Sequence, residues 1–291
     1  MLYVVKQALV AQRIEHLTTD QKVRGSNPFG RTNEEKKGIM KLGDFSDLAK
    51  HYAKSRPGYS ELVLDSLIAL QVVGKNELQV CDVGAGTGIW TRMVSKKLSK
   101  PVYAVEPNEN MLQSGQNPED NVIWIQGSAE STGLKSDFFH WVTMASSFHW
   151  TNLEVALDEF ARILKPGGCF TALWNPREIS EGSKLNLIED WINARIKNPR
   201  ISSGNSEFTS KLENNLIKRK DFHNFVYIEA NHTRIISKSN YIETWKSVND
   251  IRVQLGEVEF KNLLKFIDEL FEDEELILNN YKTKSWSVFK S

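Results

Sequence analysis

In the stretch "VCDVGAGTGIW", Gly84, Gly86 and Gly88 stand on alternate positions directly after a short apolar run. A strand that ends in glycines and opens into a helix puts backbone N–H groups and a positive helix end at the carboxyl edge of a sheet, where nucleotide-like ligands bind. Spacing selects the ligand: a dinucleotide fingerprint is GxGxxG and needs glycine where Ile89 stands, so the loop speaks against NAD. Asp82, just before the first glycine, can organise the loop amides or accept from a ligand ammonium, which a phosphate-binding loop would not want. Glu106 closes "VYAVE", where a carboxylate can accept from both ribose hydroxyls. A glycine loop alone is equally a tight structural turn. All these features in order after a strand point to a ligand site.

A second cluster, "SSFHW", follows the fourth apolar segment. His149 there can serve as a general base or shape a pocket, and the plainer alternative is a strand-end histidine that bonds a backbone carbonyl. Its neighbours Phe148 and Trp150 can pack on an apolar acceptor or face a cation. Trp174 and Asn175, at the end of the fifth segment, also fall at the ligand edge. The two cysteines, Cys81 and Cys169, make neither a disulfide framework nor a metal-ligand pattern with the six histidines, and they read as reduced core side chains. No metal is expected.

The elements that must position these residues alternate. "ELQVCDVG", "PVYAVEP", "NVIWIQG", "FFHWVTMAS" and "CFTALWN" are apolar segments rich in Val, Ile and aromatics, and "GIWTRMVSKKLS", "NENMLQSGQ" and "NLEVALDEFARILKPGG" are helical stretches between them. This alternation predicts a parallel sheet with helices on both faces. Ahead of it, "YSELVLDSLIAL" predicts an amphipathic helix whose apolar face is Leu62, Leu64, Leu67, Ile68 and Leu70. "LKPGG" predicts a proline stop and a turn into the fifth strand. Residues 177–221 are polar and mostly helical, with no clear strand. Residues 222–291 add strands at "FVYIEANHTRIIS" and "KTKSWSVFKS" around the helix "EFKNLLKFIDELFEDEEL", whose acidic end, residues 268–275, reads as a solvated face.

The 291 residues, 40% hydrophobic and 25% charged, match one main domain with appendages. Lys plus Arg and Asp plus Glu number 37 each, so no basic excess exists to hold a polyanion. No run is long and apolar enough for a transmembrane helix, and the first residues lack a signal-peptide pattern, which leads to the expectation of a cytoplasmic protein without membrane partners. Residues 8–32 lack a sustained period. They resemble a conceptual translation through a transfer RNA gene, since the T-arm consensus GGT TCG AAT CC reads Gly-Ser-Asn-Pro, found here at residues 25–28. On that reading Met40 is the true start and residues 1–39 are a spurious or disordered extension. The alternative is a genuine N-terminal arm.

"CDVGAGTGIWTR", "VYAVEPNENML", "IQGSAEST", "ASSFHWTN" and "EFARILKPGG" resemble, in order, the motifs of class I S-adenosylmethionine-dependent methyltransferases, in the subgroup of the ubiquinone-biosynthesis and trans-aconitate enzymes. The resemblance runs from about residue 44 to residue 174 and more weakly beyond. It implies an α/β, Rossmann-like, doubly wound, mostly parallel seven-stranded sheet: a cofactor-binding core over residues 40–176, a small helical lid over 177–221, and 222–291 completing the sheet. Position by position it implies that Asp82, Gly84, Ala85 and Gly86 line the methionine part of S-adenosyl-L-methionine, with Gly88 also among the cofactor-binding residues. Glu106 holds the ribose beside Pro107 and Asn108, Ser128 and Ala129 meet the adenine, and Ser146 and His149 lie near the sulfonium. "HYAKSRPGY" resembles the N-terminal cover of the subgroup, which implies that Tyr52 and Arg56 face cofactor or substrate. His140 departs from the acidic residue usual at the start of the fourth strand, leaving the packing there open.

The implied activity is methyl transfer to a small-molecule acceptor, on an oxygen of a carboxylate or hydroxyl. The Asn-Pro-Pro-aromatic signature of nucleobase enzymes is missing after strand four. An NAD-dependent oxidoreductase and a non-catalytic S-adenosylmethionine-binding module remain the alternatives, and the oligomeric state is not readable.

Overall fold

The computed structural model describes residues 58–197, 203–246 and 248–291. Tyr52 and Arg56, and the whole of the 1–39 extension, lie outside the described residues.

Helix α1 (Glu61–Ala69) opens on Ser60, whose hydroxyl accepts from the Val63 amide. Its buried face is Val63, Leu64, Leu67 and Ile68, whereas Leu62 is 67% exposed. Leu64, Leu67 and Ile68 are buried as expected, and Val63 takes the place expected for Leu62, because both fit the helical period and only packing chooses between them. Five parallel strands follow: β1 (Val80–Val83), β2 (Val102–Glu106), β3 (Val122–Gln126), β4 (Phe139–Ala145) and β5 (Leu164–Trp174). Between them run α2 (Ile89–Ser95), α3 (Glu109–Gly115) and α4 (Leu153–Ile163). Asn108 and Asn152 cap α3 and α4 through their side-chain oxygens, the local reason those helices start where they do. The turn expected at "LKPGG" is a kink inside the extended chain: Gly167 takes φ +75°, and a Cβ on Gly168 would come within 2.8 Å of the Lys165 carbonyl. His140 fits its place by accepting from the Gln79 amide at Nδ1, 3.0 Å.

After β5 come the two-residue β6 (Arg177–Glu178), α5 (Lys184–Asn193), α6 (Glu207–Ile217), β7 (Phe222–Ser237), α7 (Lys238–Lys246), α8 (Asn249–Leu270) and β8 (Leu276–Lys290). The strand order is β3-β2-β1-β4-β5-β8, with β7 on the outer side of β8 and β6 pairing the far stretch of β8 beyond β5. β8 is antiparallel to β5. Among the described residues the sheet thus has eight strands, the seven expected and β6, which is too short to leave a hydrophobic period in the sequence. Because the chain winds from β1 outward to β3 and then resumes at β4, the strand order reverses beside β1, and in such sheets that reversal opens a crevice at the carboxyl ends.

Alternating residues of the strands feed two cores. Cys81, Val83 and Met144 face α4 and α6, meeting Phe160 and Leu212. Val80, Trp141 and Leu173 face α1 and α2, meeting Leu67 and Trp90. A third core joins α5 to α7 and α8 through Ile188, Ile192, Trp245, Leu263 and Ile267. The span 177–221, expected as one helical insertion, divides its packing: α5 joins this third core, and α6 packs on the main sheet. Among the described residues no helix is long and apolar enough to cross a membrane.

Candidate functional site

Gly84, Gly86 and Gly88 all take left-handed φ, +67°, +58° and +81°, which any side chain would strain. Their reasons differ. A Cβ on Gly84 would sit 2.7 Å from Ser147 Oγ, and one on Gly88 would press on Trp124 and Arg92, but one on Gly86 would meet nothing within 4 Å. The first and third are packing glycines. The second presents bare backbone to open space.

The loop amides are used internally, which corrects the expectation of a row of free donors. Those of Gly84 and Ala85 donate to the Val105 carbonyl (2.8 and 3.1 Å), and that of Gly88 donates to the Ala85 carbonyl (2.9 Å). The Gly86 amide donates to Glu106 Oε2 at 2.7 Å, while Glu106 Oε1 accepts from the Asn108 amide at 2.9 Å. Glu106 thus clamps the loop after β1 to the loop after β2. It is 6% exposed, and burial pushes its carboxyl pKa up against the pull of the two amides. Each carboxylate oxygen keeps a second lone pair for a ligand hydroxyl.

Asp82 is placed otherwise than expected. Its β1 position pairs in register with Thr143 on β4. Its carboxylate accepts from the hydroxyls of Thr143 (3.0 Å) and Thr91 (2.5 Å), at 1% exposure. It ties α2 to the sheet and is not on the cavity wall; nor is Gly88. Burial, partly offset by the two threonines, raises its pKa to about 7. A folded-state pKa raised above the unfolded value means that stability present at low pH is lost as pH rises through about 7. Asp82→Asn, which cannot ionise, should therefore gain stability relative to the parent between pH 5 and 7, by up to about 1.4 kcal/mol per pH unit. Urea unfolding of both proteins at pH 5, 6, 7 and 8 measures this, and a difference that stays flat with pH would refute it.

Pro107, Asn108, Ser128 and Ala129 lie on the cavity wall with Gly84, Ala85, Gly86 and Glu106. Ser128 is held by paired amide–carbonyl bonds with Ser131. Across the crevice, Ser146 takes φ +57°, its amide donates to the Leu173 carbonyl at 2.7 Å, and its hydroxyl lies 2.9 Å from that of Tyr59. Tyr59, which sequence reasoning passed over, also lines the cavity.

His149 sits in the short 3₁₀ turn Phe148–Trp150 and on the wall. The Trp174 indole N–H donates to its Nδ1 at 3.3 Å. An indole N–H only donates, so Nδ1 carries the lone pair and the neutral ring bears its proton on Nε2. Burial lowers the His149 pKa to about 4. The ring is therefore a neutral hydrogen-bond donor at neutral pH and not the base that sequence alone allowed. The two flanking aromatics divide: Phe148 is fully buried in the main core, and Trp150 is 67% exposed beside the cavity. Asn175 braces the same edge, its amide donating to the Gly58 carbonyl and its oxygen accepting from Thr283.

The cavity enclosed by these groups measures about 1250 Å³ and continues past β5 to Arg177, Glu189, Tyr241 and Trp245. Sequence reasoning missed those four. The one available signal was the position of Arg177 just after the fifth strand. Cys81 and Cys169 are buried, and burial pushes the Cys169 thiol up to about 11. Among the described residues no group of three or more His, Cys, Asp or Glu side chains could hold a metal ion.

Residues 81–172 match the family profile described as methyltransferase domain. An uncharacterized methyltransferase of Mycobacterium bovis is 32% identical over 135 residues, 46% of this chain and 53% of that protein. Demethylmenaquinone methyltransferase of Chlorobaculum parvum is 30% identical over 100 residues, 34% of this chain and 42% of that protein. The chain spans about half the length of the curated relatives it matches. Among solved structures, a candidate type II methyltransferase of Anaeromyxobacter dehalogenans aligns with a TM-score of 0.59 at 17% identity, over 80% of this chain and 97% of that one, a likeness of fold. Strand order, glycine loop, the carboxylate on β2 and the profile match together identify residues 81–172 as a class I S-adenosylmethionine-dependent methyltransferase domain.

Proposed function

We propose that this chain transfers the methyl group of S-adenosyl-L-methionine to an oxygen of a small-molecule acceptor. The observation that carries the reading is the single cavity of about 1250 Å³ that joins the glycine loop and Glu106 to an aromatic-walled far end, room for cofactor and acceptor together. The loop fits the cofactor: Gly86 offers a Cβ-free surface, and its amide is already spent on Glu106, so the site suits a ligand without phosphates. In this reading Gly84, Ala85 and Gly86 hold the methionine part, Glu106 the ribose, and Ser128 and Ala129 the adenine.

The bound cofactor supplies a methyl carbon already activated by positive sulfur. What this chain's residues add is alignment and exclusion of water. His149, a neutral donor at Nε2, suits an acceptor oxygen that already carries negative charge, and it removes no proton. A carboxylate needs none removed, so it is the preferred acceptor group. Ile89 in place of the third dinucleotide glycine and the spent loop amides both disfavour NAD.

Calorimetric titration of the full chain with S-adenosylhomocysteine, with NADH as control, tests the cofactor. Saturable binding of the first alone is expected. Binding of NADH, or of neither ligand, would remove the reading. Transfer of labelled methyl to a screened set of small acids then separates an enzyme from a binding module.

A further inference from the structure

At the far end of the cavity the Arg177 guanidinium lies 5.1 Å from the centre of the Trp245 ring of α7. Its Nη2 donates to Glu189 Oε1 at 2.5 Å and its Nη1 reaches the Tyr241 hydroxyl at 3.5 Å. Both members of the Arg177–Glu189 pair are about four-fifths buried, with 20% and 19% of their side chains exposed. A guanidinium carries five N–H donors, so two bonds leave three without a protein acceptor among the described residues. Burying such donors is costly unless something accepts from them.

The acids on the same wall are engaged elsewhere. Glu106 holds two backbone amides, Glu130 accepts from the Asn152 amide at 2.8 Å, Glu189 holds Arg177 itself, and Asp250 at the start of α8 is partnered as well. Among the described residues that line the cavity, Arg177 is the one cation. Arg177 is also fixed from both sides: β6 pairs it with Tyr281 of β8, and the third core holds α5 and α7, which carry Glu189 and Tyr241. Arg177, three residues past the end of β5, lines the same cavity as Gly84, Ala85 and Gly86 of the glycine loop.

We infer that Arg177 is an anion subsite that anchors a carboxylate or phosphate group of the methyl acceptor, a group separate from the oxygen that receives the methyl. The inference rests on the proposed reading for what the rest of the cavity holds. The planar fork of Arg177 can take two oxygens of such a group at once, with the Trp245 ring beneath fixing its plane. Glu189 competes with the ligand for the same guanidinium and keeps it oriented in the ligand's absence.

The test uses the full chain and three ligands of one shape: phenylacetate, phenyl phosphate and the neutral phenylacetamide, titrated by calorimetry with and without saturating S-adenosylhomocysteine. At least one anion is expected to bind about tenfold tighter than the amide, and the stronger of the two tells carboxylate from phosphate. Arg177→Gln should abolish that preference and leave S-adenosylhomocysteine affinity unchanged, which also certifies the fold. Glu189→Gln frees a donor and removes the opposing charge, so it should tighten anion binding severalfold; a merely structural ion pair would not respond in that direction. If Arg177→Gln does not fold, the double variant Arg177→Gln with Glu189→Gln, which leaves no unpaired charge, takes its place. Equal binding of anions and amide, no binding of any of the three, or a preference that survives the loss of Arg177 would overturn the inference. Failure of S-adenosylhomocysteine to bind, with the anion preference intact, would instead sink the cofactor reading and leave the subsite standing.

Discussion

Glu106→Ala lowers affinity for S-adenosylhomocysteine about 100-fold, the equivalent of roughly 3 kcal/mol, on the expectation of two lost hydrogen bonds to a charged acceptor. The carboxylate is 6% exposed and both its oxygens already accept from backbone amides, Gly86 at 2.7 Å and Asn108 at 2.9 Å. Alanine removes the ligand's acceptor and the brace between the two loops together. Glu106→Gln keeps one carbonyl oxygen and should fall between, near tenfold by the same arithmetic. Calorimetric titration of the three proteins gives the answer, with urea unfolding as the check that each is folded. An alanine variant that binds as well as the parent would show that the β2 carboxylate is only a loop clamp.

The second large effect falls on stability. Phe148→Ala should destabilise the protein by about 3–5 kcal/mol, the cost of truncating a buried phenylalanine. The ring is fully buried, with centroids 5.1 Å from Phe170, 5.7 Å from Phe208 and 6.2 Å from Phe160. At roughly 2–4 °C per kcal/mol for a domain of this size, Tm drops by about 10 °C. Trp150→Ala, two residues on, removes a side chain that is 67% exposed and should leave Tm within about 1–2 °C. Thermal unfolding of the pair therefore reads out which aromatic of "SSFHW" belongs to the core. The opposite ranking, a stable Phe148→Ala and an unstable Trp150→Ala, would mean that the turn is inverted.

Much of the site's frame was legible because it depends on local rules. Five apolar runs alternating with helices can bury both faces only as a parallel sheet, and all five are strands. Three glycines on alternate positions signalled a tight loop after a strand, and all three have left-handed φ. Glu106 was found from its place at the end of "VYAVE", where a strand end delivers its side chain to the carboxyl edge whatever the distant packing does. His149 came from its place after the fourth strand, although its role did not, and Ser146 came from the family resemblance.

What was illegible turns on partners far along the chain. Asp82 looked like a loop organiser, yet it takes hydroxyls from Thr91 and from Thr143, and the latter is placed beside it by strand register. His149 is a donor and not a base because Trp174 arrives from the end of β5 to occupy Nδ1. Residues 177–221 read as one lid, but α5 finds its apolar partners on α7 and α8 while α6 finds them under the sheet. Two amphipathic helices adjacent in sequence carry no local mark of which apolar surface each will cover.

The sequence by itself determined the class of domain, the glycine loop, the carboxylate opposite it and the strands that carry them, since periodicity and backbone sterics act within a few residues. The tertiary structure alone decided which loop amides are spent, which tautomer His149 holds, which aromatic faces the cavity and that Arg177 stands with Glu189 at its far end. Those outcomes depend on hydrogen bonds and burial between residues brought together only when the sheet and its helices have packed, and no pattern along the chain encodes a distance across it.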